Sequence, residues 1–227
     1  NGYTLNRAYQ SFRQPGSSVK PILVYVPQLE RGYTPDSIVK DAPFEGGPSN
    51  SNGKYSGNIT LRYAVEQSKN TIAWKLLEEM TPAVGLSYLK KMNFSKLDVR
   101  DEVPAVALGG FTYGMSAVEM ASSYAAIAND GVFREPTCIE RIEDADEHVL
   151  YESGNESVQV YDQNASRMMT DILKGVMTSG TARGLDLGAM PSAGKTGTTN
   201  DHKDGWFCGF TRYYTAAIWV GYDTPRE

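Results

Sequence analysis

Apolar and polar positions follow two different periods along the chain, and the change between them divides it into two parts. From residue 60 to residue 177, apolar residues recur three or four positions apart behind residues that commonly cap helices. Thr81-Pro82 and the capping box of Ser116 and Glu119 mark two of these starts. We predict helices over residues 61–67, 71–80, 82–92, 117–129 and 162–177, the first two capped by Thr60 and Asn70.

The end of the chain has the pattern of strands. β-Branched and aromatic residues are concentrated in 192–199, 205–213 and 215–222, which we predict to be successive strands of one antiparallel sheet. A small hairpin is predicted over 138–143 and 149–151, and the Gly, Ser and Asn residues of 46–58 predict a loop. Helices followed by strands indicate the α+β class, with an antiparallel sheet flanked by a mainly helical region.

Composition and charge narrow the class of function. The 227 residues fit one domain, and 22 Lys and Arg against 27 Asp and Glu give a net charge of −5, which argues against a nucleic-acid-binding surface. No apolar run is long enough to span a bilayer, and the chain does not begin with a signal-peptide pattern. Cys138, Cys208, His148 and His202 lack metal-ligand spacing, so we expect no metal or other cofactor and a catalytic base other than histidine.

Ser17-Ser18-Val19-Lys20 contains the first candidate for chemistry. On a helix, Ser17 and Lys20 share a face, so a neutral lysine can accept the serine proton. The preceding Pro15-Gly16 permits a sharp turn into that helix, whose first N–H groups would face Ser17. The spacing alone proves nothing, because it recurs at Ser37/Lys40, Ser51/Lys54, Ser87/Lys90 and Ser192/Lys195. A surface serine and lysine is the ordinary interpretation of any single pair.

Two further motifs add polar groups. Ser68-Lys69-Asn70 lies between two predicted helices, where a hydroxyl and a carboxamide can relay a proton and hold a substrate amide. Taken alone, Asn70 is more often a helix cap, and both roles can coexist. Lys195-Thr196-Gly197-Thr198 occurs once, on the first of the late strands, and its ammonium and hydroxyls suit a carboxylate. A glycine-marked bulge with exposed polar residues explains that motif equally well.

In this order, the three motifs resemble those of the penicillin-recognising serine enzymes. The flanking residues narrow the resemblance to the transpeptidase domain of class A penicillin-binding proteins. Arg13 to Pro21 is similar to their nucleophile segment, Ile59 to Ala64 to the approach to their second motif, and Trp206 to Tyr222 to the strands after their third. The resemblance covers nearly the whole chain.

The resemblance implies a mechanism and a place of action. Ser17 is expected to attack a D-alanyl-D-alanine stem peptide with Lys20 as general base and Ser68 moving protons, while Asn70 binds the donor amide. Lys195, Thr196, Gly197 and Thr198 are expected to form the site for the terminal carboxylate. β-Lactams would acylate the same serine. The family acts on the extracytoplasmic face of the bacterial membrane, held there by an N-terminal anchor and accompanied by other cell-wall synthesis proteins.

The family fold also has strands before the nucleophile helix and a helix after the last strand. We therefore expect residues 1–227 to be one transpeptidase core that lacks these elements and the glycosyltransferase domain. A serine β-lactamase, a D,D-carboxypeptidase and a non-catalytic penicillin sensor remain alternatives. The Glu-x-x-Leu-Asn motif of class A lactamases is absent, and class D lactamases have valine where Asn70 stands.

Overall fold

A helical segment that begins at Gly16 runs through the centre of the molecule in the computed structural model, which describes residues 4–154, 156–199, 202–224 and 226. It starts as a 3₁₀ helix over Gly16–Val19, widens to a π-helix over Pro21–Tyr25 and ends as α1, Val26–Glu30. The side chains from Val19 to Val26 are completely buried. The segment that carries Ser17 therefore lies in the hydrophobic core of the fold.

All five predicted helices are present, each within one residue of its predicted ends. α2 and α5 carry the predicted caps, because Thr60 accepts a hydrogen bond from Tyr63 N and Ser116 forms a capping box with Glu119. Short 3₁₀ helices cover Val99–Asp101 and Pro104–Leu108. The α-helices after α1 are α2, Leu61–Glu66; α3, Asn70–Met80; α4, Pro82–Lys91; α5, Ala117–Ala128; and α6, Gln163–Thr178.

Nine strands form four antiparallel sheets in the described part of the chain. The sequence pattern did not predict four of these strands, namely the pairs β1–β2 and β3–β6, because these short strands pair across long segments of chain, without the short turn that indicates a hairpin. β2 also shortens the predicted loop, which ends before Gly57. The bounds are β1, Ile38–Asp41; β2, Gly57–Thr60; β3, Val132–Arg134; β4, Arg141–Glu143; β5, Val149–Glu152; β6, Ser157–Gln159; β7, Ser192–Thr198; β8, Asp204–Thr211; and β9, Thr215–Gly221.

The main sheet has the order β7–β8–β9 and confirms the prediction of three successive antiparallel strands. α5 and α6 pack against it, and β7 also contacts the 3₁₀ turn that carries Ser17. The α+β class is confirmed, with this sheet beside a mainly helical region. No helix within the described ranges has the length and apolar character needed to cross a bilayer.

Candidate active site

Ser17 lies where the central helix begins, in a turn that only glycine permits. Gly16 has a φ of +54°, and a Cβ there would be 2.6 Å from the carbonyl oxygen of Thr198 on β7. A Cβ on Gly197 would be 2.4 Å from the carbonyl oxygen of Pro15. Both contacts exclude a side chain, so two glycines let the main chain of the turn lie directly against β7.

Ser17 is partly exposed and lines a cavity of about 550 Å³. Side chains from all three sequence motifs line the same cavity, since Ser68, Asn70, Thr196 and Thr198 are among its walls. Three segments that are distant in the sequence thus meet at one cleft.

Lys20 lies one turn beyond Ser17 and is completely buried. Its Nζ donates hydrogen bonds to the Ser68 carbonyl oxygen at 2.9 Å and to Asn70 Oδ1 at 2.7 Å, and it is 3.3 Å from Ser68 Oγ. All three acceptors are neutral oxygens, which hold the amine in place without favouring its charge as a carboxylate would.

Ser68 is held in the left-handed conformation, with a φ of +53°. A non-glycine residue in this region is strained by roughly 1–3 kcal/mol, which the surrounding structure must offset. The conformation directs Ser68 Oγ into the cleft, where it also accepts a hydrogen bond from Lys195 Nζ at 2.9 Å. Ser68 is therefore a bridge between the two buried lysines.

Asn70 does not cap α3, so that part of the prediction is wrong. It is the first residue of the helix, and its side chain turns away from the helix amides. Oδ1 accepts from Lys20, and Nδ2 donates to the carbonyl oxygen of Ser49 at 2.9 Å. The loop residue Asn50 supplies the missing cap, because its Oδ1 accepts from Asn70 N at 2.8 Å.

The third motif forms one wall of the cleft on β7. Lys195 is completely buried, and besides Ser68 its Nζ bonds the Thr196 carbonyl oxygen at 3.1 Å. The Thr196 hydroxyl lies 2.7 Å from that of Thr181, in the turn that follows α6. The Thr198 side chain is exposed at the cavity wall. The Thr196 and Thr198 side chains therefore line a space in which an anionic group can bind, and the Lys195 amine is buried next to it, bonded to Ser68 Oγ.

Burial lowers the pKa values of both lysines. Burial, and then the nearby charge of Lys195, hold the pKa of Lys20 well below its usual value. Burial brings the pKa of Lys195 to about 7. Burial therefore favours the uncharged amine of Lys20, the form that accepts a proton.

Residues 1–225 match the model of the penicillin binding protein transpeptidase domain. The chain belongs to this family. The expected resemblance is thereby confirmed.

Relatives of this transpeptidase domain are longer proteins. Penicillin-binding protein 4 of Bacillus subtilis (strain 168) is 37% identical over 229 residues, covering 99% of the chain and 37% of the relative. The crystal structure of penicillin-binding protein 1A from Haemophilus influenzae has a TM-score of 0.84 at 26% identity, over 98% of the chain and 40% of that protein. PonA1 from Mycobacterium tuberculosis, solved in complex with penicillin V, has a TM-score of 0.85 at 24% identity, over all of the chain and 65% of that protein.

Several residues around the cleft of the transpeptidase domain were not predicted from the sequence. Ser49, Asn50, Leu108 and Thr181 line the cavity but lie outside the three motifs. His202 also reaches its wall, although its side chain is exposed, whereas His148 pairs with Asp144 on the hairpin. The sequence signal that could have indicated Ser49 and Asn50 is the Pro48-Ser49-Asn50 run, which precedes the motif at Ser68.

Proposed function

We propose that the chain is a peptidoglycan D,D-transpeptidase, with Ser17 as its nucleophile. The observation that carries the proposal is the position of Ser68 Oγ, within 3.3 Å of Lys20 Nζ and 2.9 Å of Lys195 Nζ, at the cavity that Ser17 lines. A hydroxyl between a low-pKa amine and a second lysine is suited to pass protons during acyl transfer. Membership of the transpeptidase domain family supports the same reaction.

In the acylation step, Ser17 Oγ attacks the carbonyl carbon of the penultimate D-alanine, and its proton moves to Lys20 Nζ. The bond between that carbonyl and the terminal D-alanine nitrogen breaks, and the proton passes through Ser68 to the departing amine. An ester on Ser17 remains. We infer that the main-chain N–H groups of residues 17 and 198 stabilise the oxyanion, which the close approach of Gly16 to the Thr198 backbone supports.

In the second step, an amine of a neighbouring stem peptide attacks the ester carbonyl. Its proton returns through Lys20 to Ser17 Oγ as the ester bond breaks, so the cross-link forms and the enzyme is regenerated. Lys195, Thr196 and Thr198 would hold the terminal carboxylate of the donor by charge-assisted hydrogen bonds. Asn70 would hold the donor amide, since its side chain lines the cavity. The site would lie on the extracytoplasmic face of the membrane, where stem peptides are found.

β-Lactams would acylate Ser17 in place of the stem peptide. The complex of the structurally similar PonA1 with penicillin V supports this part of the proposal. The ester would persist because the cleft lacks, among its described lining residues, a carboxylate to activate water.

Labelling with a fluorescent penicillin tests the nucleophile. The wild type is expected to form a persistent covalent adduct, and Ser17→Ala is expected to form none. Ser87→Ala is the matched control, because Ser87 has the same spacing to a lysine but donates to the Val84 carbonyl on α4. Persistent labelling of Ser17→Ala would contradict the assignment.

The alternatives differ in what happens to the acyl group. Incubation with a stem-peptide donor and an amine acceptor is expected to give the cross-linked product. Rapid loss of the penicillin adduct would instead indicate a β-lactamase. Release of D-alanine without transfer to the acceptor would indicate a carboxypeptidase. A stable adduct without peptide turnover would indicate a sensor.

A further inference from the structure

Asn50, in the loop between β1 and β2, lies at the wall of the cleft and contacts the start of α3. Its side chain is 5% exposed. Oδ1 accepts hydrogen bonds from the backbone N–H of Asn70 at 2.8 Å and of Thr71 at 3.4 Å. It therefore satisfies amides that begin a helix, as a cap does, although it is twenty residues away in the sequence.

The other end of the Asn50 carboxamide has only acceptors around it. Nδ2 donates to Asp41 Oδ1 at 2.7 Å and to the Lys54 carbonyl oxygen at 2.9 Å. Reversing the carboxamide would place its oxygen against a carboxylate and a carbonyl, and its NH₂ group against two N–H donors. One orientation alone satisfies both ends, so the side chain is fixed.

This fixed side chain holds the neighbouring carbonyl of Ser49 in contact with Asn70. The Ser49 oxygen accepts from Asn70 Nδ2 at 2.9 Å, which leaves Asn70 Oδ1 to face Lys20 Nζ at 2.7 Å. Asn70 is thus oriented from two sides by one loop, through its backbone N–H by Asn50 and through its side chain by Ser49.

The loop itself is anchored by a buried carboxylate. Asp41 is completely buried, and it also accepts from the Thr71 hydroxyl at 2.7 Å and pairs with Lys69 Nζ at 2.9 Å. Lys69 is the middle residue of the motif that contains Ser68 and Asn70. We call Asp41, Asn50, Lys69 and Thr71 the anchor cluster.

We propose that Asn50 is a positioning residue for acylation, which acts by orienting Asn70 and through it the amine of Lys20. The inference rests on the proposed function. Without the Asn50 side chain, the Ser49 carbonyl and the first amide of α3 lose their common support. Asn70 can then rotate, and the Lys20 amine loses the acceptor that holds it at 2.7 Å.

The test compares Asn50→Ala with Ser116→Ala, because each change removes the cap of one helix. Ser116 caps α5 and is not among the residues that line the cavity. The measurements are thermal unfolding and the second-order rate constant for labelling by a fluorescent penicillin, followed across pH. We expect Asn50→Ala to label about 10–100-fold more slowly, because small displacements of catalytic groups have effects of this size.

The pH profile separates positioning from simple loss of stability. In Asn50→Ala a less confined Lys20 amine is more hydrated, so the rise of the labelling rate is expected to move to higher pH. Ser116→Ala is expected to unfold at a lower temperature while keeping the wild-type rate and pH profile. A folded Asn50→Ala protein with the wild-type rate and profile would overturn the proposal.

A second pair of variants keeps the proposal testable if Asn50→Ala does not fold. Asn50→Asp retains the acceptor for the α3 amides but places a carboxylate against Asp41. The double exchange Asp41→Asn with Asn50→Asp restores a donor opposite an acceptor and is expected to recover labelling relative to Asn50→Asp. If labelling does not recover in the double variant, the proposed positioning role of Asn50 is contradicted. Absence of Ser17-dependent labelling in the wild type would instead refute the proposed function.

Discussion

The cleft and the anchor cluster are neighbours, and both contain buried lysines, but the lysines have different partners. Lys20 and Lys195 bond neutral oxygens, and no described carboxylate lies within ion-pair distance of either. Lys69, adjacent to Ser68, pairs with the buried carboxylate of Asp41. The first arrangement leaves a reactive amine, and the second forms a fixed structural contact.

The partners of a buried lysine thus decide whether it serves the reaction or the stability of the fold, although the lysines are neighbours. Burial without a counter-charge lowers a lysine pKa at a cost in stability, which is acceptable where the neutral amine is needed. An ion pair with additional hydrogen bonds holds the same kind of side chain in place, and breaking it leaves a buried charge. Substitution of Lys20 should therefore lower the rate of acylation, whereas substitution of Lys69 should lower the free energy of unfolding.

Replacing Lys20 by Met should have the largest effect, a loss of reactivity without a loss of stability. Loss of a general base typically lowers a rate by about 10²–10⁴-fold, so penicillin labelling should fall by that factor. The unfolding temperature should be unchanged or raised, since Met is buried without desolvating an amine. Lys90→Met, at the exposed partner of Ser87, is the control and should label normally. Labelling of Lys20→Met at the wild-type rate would remove Lys20 from the mechanism.

Replacing Lys69 by Met should instead reduce stability. The Asp41 carboxylate would remain buried without its counter-charge, at a cost of about 3–5 kcal/mol in the free energy of unfolding. Lys75→Met is the control on α3, because Lys75 Nζ bonds two main-chain carbonyl oxygens and lies over the Phe44 ring, with no ion pair to a described carboxylate. Its loss of stability should be smaller, about 1–2 kcal/mol in chemical denaturation, because no buried charge is left without a partner. Equal losses in the two variants would contradict the comparison.

The smallest expected effect is the acid dependence of the anchor cluster. Burial acts to raise the pKa of Asp41, but hydrogen bonds from Thr71, Lys69, Asn50 and the Ser56 N–H outweigh it and lower the pKa from 3.8 to about 2. A depressed pKa stabilises the fold above 3.8, and that contribution of roughly 2 kcal/mol is lost as pH falls through 3.8 towards 2.

Denaturation of the wild type and of Asp41→Asn at several acid pH values measures this contribution. The variant should be less stable at neutral pH and should lose less stability on acidification. Parallel acid slopes in the two proteins would assign the acid sensitivity to other carboxylates.

The three motifs could be predicted from the sequence, and the loop that positions one of them could not. Ser17, Lys20, Ser68 and Lys195 have side chains whose chemistry is readable at short spacing, and their meeting at one cleft follows from the family resemblance. Asn50 lies in a run of Gly, Ser and Asn, where polarity predicts only a solvated loop. Its burial depends on Asp41 and α3, contacts that no local pattern encodes.

The helix caps illustrate the same limit. Thr60 and Ser116 cap their own helices, so local sequence was sufficient to predict α2 and α5. Asn70 has an equally favourable side chain for capping, but Lys20 and Ser49 compete for it, and a tertiary contact replaces the local one. The site departs from the local rule where a side chain is needed for another purpose.

The 3₁₀ geometry of Gly16–Val19 has a consequence for the spacing of the reacting groups. The Lys20 N–H bonds the Ser17 carbonyl oxygen, so the two residues are one 3₁₀ turn apart. At three residues per turn, positions three apart are eclipsed, whereas in an α-helix they would be offset by about 60°. The tight first turn thus aligns the backbone positions of Ser17 and Lys20 along the helix axis, and relaxing it to α geometry would offset them without altering a single residue.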